Sequence, residues 1–184
     1  MMIYFQHVGE RGGERDFPRT IGTQSAGLKQ FAAEDLAPMM ADLPDGERQR
    51  ILNRLTQERA FQVWGFPAPA SRVLRRLCAD DWILLLDTDR PGGLIVYGGR
   101  VLTRPDRPLP SMSQRLWGEG RFPLIVFLHG ILATYDWETM RETLGYSPDW
   151  RLSGMTYRVV EDRLVRSKYQ NEAGLLRAVL GVSV

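Results

Sequence analysis

The chain has 184 residues, of which 43% are hydrophobic and 25% are charged. This composition is typical of a globular domain and excludes a disordered tail, a collagen-like repeat and a coiled coil. The longest apolar runs, such as Trp82–Leu86 and Leu124–Leu128, are far shorter than the ~18 residues of a membrane helix.

The basic residues are almost all arginine. The net charge of +2 is weak evidence for a polyanion partner, but 22 of the 24 basic residues are arginine, which binds phosphates and base edges bidentately. A GC-rich genome accounts for the same excess. The single cysteine, Cys78, favours a reducing compartment, and the N-terminus lacks the features of a signal peptide. We therefore expect a cytoplasmic protein with no membrane partner.

The first 60 residues predict a strand, a loop and a helix. Ile3–Val8 is typical of a strand, and the glycine-rich stretch Gly9–Gly27 predicts a long loop. We expect this loop to be mobile without nucleic acid and to contact it when bound, because three of its residues are cationic: Arg11, Arg15 and Arg19. After Asp45, the spacing of Ile51 and Leu55 predicts an amphipathic helix.

The remainder predicts short strands with few helices between them. The expected strands are Phe61–Trp64, Trp82–Leu86, Leu94–Leu102, Phe122–Leu128 and Met155–Val160. Helices are expected after Ser71, after Thr134 or Asp136, and over Asn171–Leu180. This order favours a mixed or antiparallel sheet curled into a barrel over a doubly wound parallel sheet.

Catalytic machinery is not evident in the sequence. One cysteine and two distant histidines, His7 and His129, do not make a zinc site. No Walker A loop or GxGxxG motif is present, and neither Lys29 nor Lys168 has the acidic neighbour of a metal-dependent nuclease. We expect no enzyme activity, no metal and no cofactor.

Two tryptophans stand next to glycine at the ends of predicted elements, Trp64-Gly65 and Trp117-Gly118. Aromatic rings at loop edges can sandwich an unstacked base, which contributes roughly 1–3 kcal/mol per base. Core packing is the alternative interpretation of both rings.

The pattern around these tryptophans resembles a known family. Over residues 61–130, a strand ending in Trp64, a small helix, two strands separated by a glycine turn, and Trp117 before the next apolar strand are similar to the YTH and EVE branch of the PUA-like superfamily. The resemblance implies an α+β fold, a PUA-like curved mixed β-barrel flanked by helices, as one domain over 1–184. Residues 1–60 and 131–184 complete it. Pro67 and Pro69 depart from the family pattern and leave the identity of the base open.

The resemblance also implies a function. Members of this superfamily flip a methylated base out of DNA as targeting modules of modification-dependent restriction systems, with a nuclease or NTPase effector elsewhere. The implied pocket has Trp64 and Trp117 as partly exposed walls, with Tyr97 as a third wall and Asp87 as a polar contact.

Phosphate contacts are expected from arginines around the two tryptophan loops and in the N-terminal loop. They are Arg11, Arg15, Arg19, Arg72, Arg75, Arg76, Arg100, Arg104, Arg107, Arg115 and Arg121. Alternatives are a PUA-like RNA-binding domain, an enzyme with an unrecognised site, and a protein-interaction module with both tryptophans in the core.

Overall fold

The computed structural model describes residues 1–9, 12–87, 93–144, 146–149, 158–159 and 168–181. The chain forms two compact units. The first unit comprises residues 1–13, 81–99 and 131–184, and the second comprises residues 14–80 and 100–130. The strand over residues 94–103 and the strand over residues 124–136 therefore each have one end in the first unit and the other end in the second.

The described residues include the following eight strands and seven α-helices. The strands are β1 Ile3–His7, β2 Gly22–Thr23, β3 Gly27–Leu28, β4 Gln62–Phe66, β5 Trp82–Asp87, β6 Leu94–Thr103, β7 Leu124–Asp136 and β8 Arg158–Val159. The helices are α1 Phe17–Thr20, α2 Ala33–Leu36, α3 Asp45–Thr56, α4 Ser71–Leu74, α5 Pro110–Trp117, α6 Trp137–Thr143 and α7 Glu172–Leu180. A π-helical turn, Gly12–Asp16, precedes α1, and 3₁₀ turns follow α2 and precede α4.

Six of the strands form one mixed sheet in the order β4-β7-β6-β5-β1-β8. β1 pairs with β5 in parallel, from Ile3 opposite Trp82 to His7 opposite Leu86. β4 pairs with β7 antiparallel, with Trp64 opposite Val126. The predicted central strands β5, β6 and β7 lie at the centre of this order, as expected. Of the predicted strand Met155–Val160, only β8 lies within the described residues.

Each unit has its own apolar core. In the first, Phe5 on β1 meets Trp137 on α6 edge-on, with ring centroids 5.4 Å apart, and α7 adds Leu175 and Leu176 to the same cluster. In the second, residues of α2, α3 and α5 pack with alternate residues of β4 and β7. Ile51 and Leu55 are completely buried there, which confirms the predicted inner face of α3.

The predicted long loop Gly9–Gly27 is wrong over residues 12–27. These residues form the π-helical turn, α1 and the β2–β3 hairpin. Phe17 and Ile21, four residues apart, are both buried, and Pro18 stands at the start of α1, where its fixed φ suits a helix. The apolar spacing and the proline outweigh the glycine content that predicted a loop.

Candidate nucleic-acid interface

Two arginines of the second unit, Arg15 and Arg121, share two carboxylate partners. Together with Arg19, which donates to the Trp117 carbonyl, we call them the arginine cluster. Arg15 donates to Asp16, with Nε to Oδ1 at 2.8 Å, and to Glu119, with Nη2 to Oε1 at 2.5 Å. Arg121 Nη2 lies 3.0 Å from the same Glu119 oxygen and 3.5 Å from Asp16 Oδ2. Two guanidinium groups thus share two carboxylates, and all three arginines are exposed on the surface.

The two carboxylates differ in exposure. The Asp16 side chain is 2% exposed, whereas that of Glu119 is 35% exposed. The hydrogen bonds that Asp16 and Glu119 accept raise the pKa of Arg15 above its ordinary value. Arg15 is therefore charged at every relevant pH. Arg15 and Arg121 thus pair with Asp16 and Glu119, two cations with two anions.

The connection between α5 and β7 is fixed by short-range hydrogen bonds. α5 ends at Gly118, which has a φ of 78° and donates to the Gln114 carbonyl, as left-handed glycine caps do. Ser113 Oγ donates to the Glu119 carbonyl at 2.8 Å and accepts from the Phe122 N–H at 3.0 Å. The backbone that carries Glu119 is thereby held in place, and its side chain projects from a fixed point.

Trp117 is a core residue. Its side chain packs in the apolar cluster of the second unit and the residue is 3% exposed. Its ring meets Phe122 edge-on at 5.6 Å between centroids, and its carbonyl accepts from Arg19 Nη1 at 2.6 Å. A Cβ at Gly65 would lie 2.7 Å from Trp117 Cη2. Glycine at position 65 therefore makes room for this ring, and the expected exposure of Trp117 is wrong.

Trp64 is also buried, at 5% exposure, but on the other face of β4. Successive side chains on a strand point to opposite faces. Gly65 faces Trp117, and Val63 belongs to the same cluster as Trp117, so Trp64 points away from both. There it meets the Phe17 ring edge-on, with centroids 6.2 Å apart. The two tryptophans therefore do not face each other across a pocket.

The other two predicted pocket residues, Tyr97 and Asp87, belong to the first unit. Tyr97 is completely buried, and its ring lies against the backbone at Gly99, where a Cβ would be 2.6 Å away. Burial raises the pKa of its hydroxyl well above the ordinary value. Because the ring is enclosed, the expectation of an exposed third wall is wrong. Asp87 ends β5 and is half-buried.

The other arginines that were predicted to contact phosphates fall into two groups, those held by nearby carboxylate or carbonyl oxygens and those exposed on helices or turns. Three are held by nearby carboxylates or carbonyls: Arg100 by Asp80 at 2.7 Å and Glu58 at 3.4 Å, Arg104 by the Leu77 carbonyl at 3.2 Å, and Arg107 by Glu47 at 3.4 Å. Four are exposed on α4, on the turn after it, or on α5: Arg72, Arg75, Arg76 and Arg115. Arg11 lies outside the described residues.

Sequence reasoning missed three residues at this surface, namely Asp16, Phe17 and Glu119. Asp16 directly precedes Phe17-Pro18, and an acidic residue before a proline-initiated helix is a recognisable helix start. Glu119 and Arg15 are 104 positions apart in the sequence, so no local sequence pattern could predict that they form an ion pair.

Comparison with solved structures identifies the fold. The chain is similar to the N-terminal domain of Thermococcus gammatolerans McrB bound to m5C DNA, with a TM-score of 0.64 and 15% identity. The match covers 92% of this chain and 96% of that domain. The fold is PUA-like. The α+β, mixed-sheet PUA-like fold expected from residues 61–130 is therefore confirmed, and the likeness extends well beyond that segment.

Other comparisons give no match. No protein-family model and no curated protein matches the sequence. Among the described residues of this PUA-like chain, no group of three or more histidine, cysteine or acidic side chains is arranged to hold a metal ion. Within the same residues, no helix has the length and apolar character to cross a membrane.

Proposed function

We propose that this chain is a DNA-binding reader domain that recognises a modified, methylated base. The observation that carries the proposal is the structural likeness, over 92% of the chain, to a domain bound to m5C DNA. In the same proposal, the domain acts in the cytoplasm as the targeting module of a modification-dependent restriction system. A nuclease or NTPase effector, in another domain or subunit, completes that system.

The arginine cluster supports a contact with the DNA backbone. The side chains of Arg15 and Arg121 are 40% and 44% exposed, and both pair with buried Asp16. Arginine side chains of this kind neutralise phosphates and release counterions, so their contribution depends on salt. Such contacts position the protein but do not read the base.

For the base itself, we assign Trp64 and exclude Trp117. Trp64 meets the ring of Phe17, the residue that directly follows Asp16, whereas the Trp117 ring is enclosed in the apolar cluster of the second unit. Because Trp64 is 5% exposed, a flipped base reaches it only when the Phe17 ring moves aside. Stacking on the indole then offsets part of the few kcal/mol needed to extrude the base.

Binding measurements test the function. Fluorescence anisotropy compares a duplex with one 5-methylcytosine, the same duplex without it, and a matched RNA duplex, each at two salt concentrations. We expect the methylated DNA to bind more tightly than plain DNA at both salts. Equal affinity for methylated and plain DNA contradicts the proposal, and preference for the RNA favours the RNA-binding alternative.

A pair of matched variants tests the base contact. Trp64→Leu and Trp117→Leu remove rings of equal size, one on β4 and one on α5, that lie on opposite faces of β4. Both substitutions destabilise the fold. We expect Trp64→Leu to lose the preference for methylated DNA and to keep its binding to plain DNA. Trp117→Leu is the control and should keep the preference while it is folded. Loss of preference in Trp117→Leu alone refutes the assignment.

A further inference from the structure

Glu119 occupies a position suited to an anion. One of its carboxylate oxygens, Oε1, lies 2.5 Å from Arg15 Nη2 and 3.0 Å from Arg121 Nη2. A single oxygen held between two guanidinium groups has the charge and the hydrogen-bond pattern of a phosphate oxygen bound to the same groups.

The two carboxylates that pair with these arginines, Asp16 and Glu119, differ in how freely they can move away. Asp16, 2% exposed, is enclosed beneath the two arginines and orients their planes. The Glu119 side chain is 35% exposed and stands between Gly118 and Gly120. Rotation of this side chain moves the carboxylate into water while the backbone stays fixed by Ser113.

The arginine planes remain oriented after such a rotation. Arg121 stacks on the Phe122 ring, with Cζ 4.6 Å from its centroid, and Arg15 keeps both of its hydrogen bonds to Asp16. Departure of Glu119 therefore leaves two oriented cations without their exposed anionic partner. The arrangement is then a two-arginine site for one phosphate.

We propose that Arg15 and Arg121 form a binding site for a DNA backbone phosphate that Glu119 occupies in the free protein, so that Glu119 competes with DNA. The proposal rests on the proposed function for the identity of the polyanion. The competition weakens binding to any DNA by the same factor, because it acts on the phosphate contact and not on the base. Glu119 thus weakens binding to plain DNA, where no base contact is made. At a modified site, the base contact adds the affinity that keeps the protein bound.

The test uses Glu119→Gln, with Asp106→Asn as the matched control. Asp106 also pairs with two arginines of the second unit, Arg50 at 3.1 Å and Arg104 at 4.0 Å, so its substitution changes the net charge equally. We expect Glu119→Gln to bind plain and methylated duplexes about 3- to 10-fold more tightly at low salt, in keeping with the modest strength of exposed ion pairs. The salt slope should steepen by about one phosphate equivalent. Asp106→Asn should change affinity much less.

A second substitution tests the coupling. In an Arg121→Gln background, Glu119→Gln should no longer strengthen binding, because half of the site is gone. Titration calorimetry with inorganic phosphate distinguishes the ligand source, since a DNA phosphate site should bind free phosphate only weakly. Free phosphate bound as tightly as DNA overturns the assignment to DNA.

The outcomes separate this inference from the proposed function. Unchanged or weaker DNA binding by Glu119→Gln refutes the competition, whatever the base preference. A tighter Glu119→Gln variant with no preference for methylated DNA keeps the phosphate site and refutes the reader function. If Glu119→Gln binds no DNA at low salt, both fail.

Discussion

Gly65 lies in the middle of β4, and we expect Gly65→Ala to destabilise the second unit. The added Cβ would lie 2.7 Å from Trp117 Cη2, 2.8 Å from Phe122 Cβ and 2.9 Å from the Phe122 carbonyl oxygen. Favourable carbon–carbon contacts lie at about 3.5–4.0 Å, so the Trp117 and Phe122 carbons overlap with the new methyl group by most of an ångström. One of the three contacts is with backbone, which cannot rotate away.

The magnitude follows from two opposing effects. Overpacking a well-packed core costs about 1–3 kcal/mol, and three simultaneous contacts place this site toward the upper end. Replacing glycine inside a strand with alanine recovers roughly 0.5–1 kcal/mol of unfolded-state entropy. The free energy of unfolding should therefore fall by about 2 kcal/mol, as overpacking is the larger effect.

The assay is urea denaturation of Gly65→Ala beside Gly46→Ala. Gly46 lies in the first turn of α3, and a Cβ there meets nothing within 4 Å, so alanine should stabilise the protein by up to about 1 kcal/mol. The two variants, identical in chemistry, should move the unfolding midpoint in opposite directions. A Gly65→Ala protein as stable as Gly46→Ala refutes the placement of Trp117 against β4.

Three further predictions concern single side chains. Trp117→Ala should lower the free energy of unfolding by about 3–5 kcal/mol, measured by denaturation, and a wild-type melting curve contradicts core packing of this ring. At the start of α6, Asp136 caps the helix by accepting from Thr139 N–H at 2.6 Å, and hydrogen bonds from the Thr139 side chain and backbone lower its pKa. The ionised Asp136 side chain therefore stabilises the folded protein at pH values above its unfolded pKa of about 3.9, and this stabilisation is lost as the pH falls through its folded pKa. Asp136→Asn should therefore reduce the dependence of the free energy of unfolding on pH in acid. Burial raises the pKa of Tyr97, so stability should fall as pH rises above about 10, and Tyr97→Phe should reduce that slope. An alkaline slope equal in both proteins contradicts the enclosure of Tyr97.

The sheet could be predicted from sequence because its strands carry a local signal. Trp82–Leu86 and Leu124–Leu128 are continuous apolar runs, as strands buried on both faces are. Residues 12–27 are rich in glycine, which predicts a loop, but the spacing of Phe17 and Ile21 favours a helical turn. That spacing was present in the sequence and would have predicted a helical turn.

The relative placement of the two tryptophans could not be predicted from sequence. Each is followed by glycine, but the two glycines have different causes. Gly118 ends α5 with a positive φ, whereas Gly65 leaves space for the Trp117 ring. The first cause is local, and the second depends on a contact between residues 52 positions apart in the sequence. The shared Trp-Gly pattern therefore did not indicate a shared pocket, and only the alternation along β4 shows that the rings lie on opposite faces.

Ion pairing decides which of the predicted arginines are suited to bind DNA. Arg100 is held between Asp80 and Glu58, and its partners would have to be released before it could serve a phosphate. In the arginine cluster, Asp16 is buried and Glu119 is partly exposed, and our proposal makes Glu119 the group that leaves when DNA binds. The strength of a cation toward DNA therefore depends on how deeply its carboxylate partner is buried and on how freely that partner can rotate. The number of arginines in the sequence gives neither quantity. The sequence therefore predicted Arg15 and Arg121 among eleven phosphate contacts, but not the ion pairs that distinguish them in the proposed site.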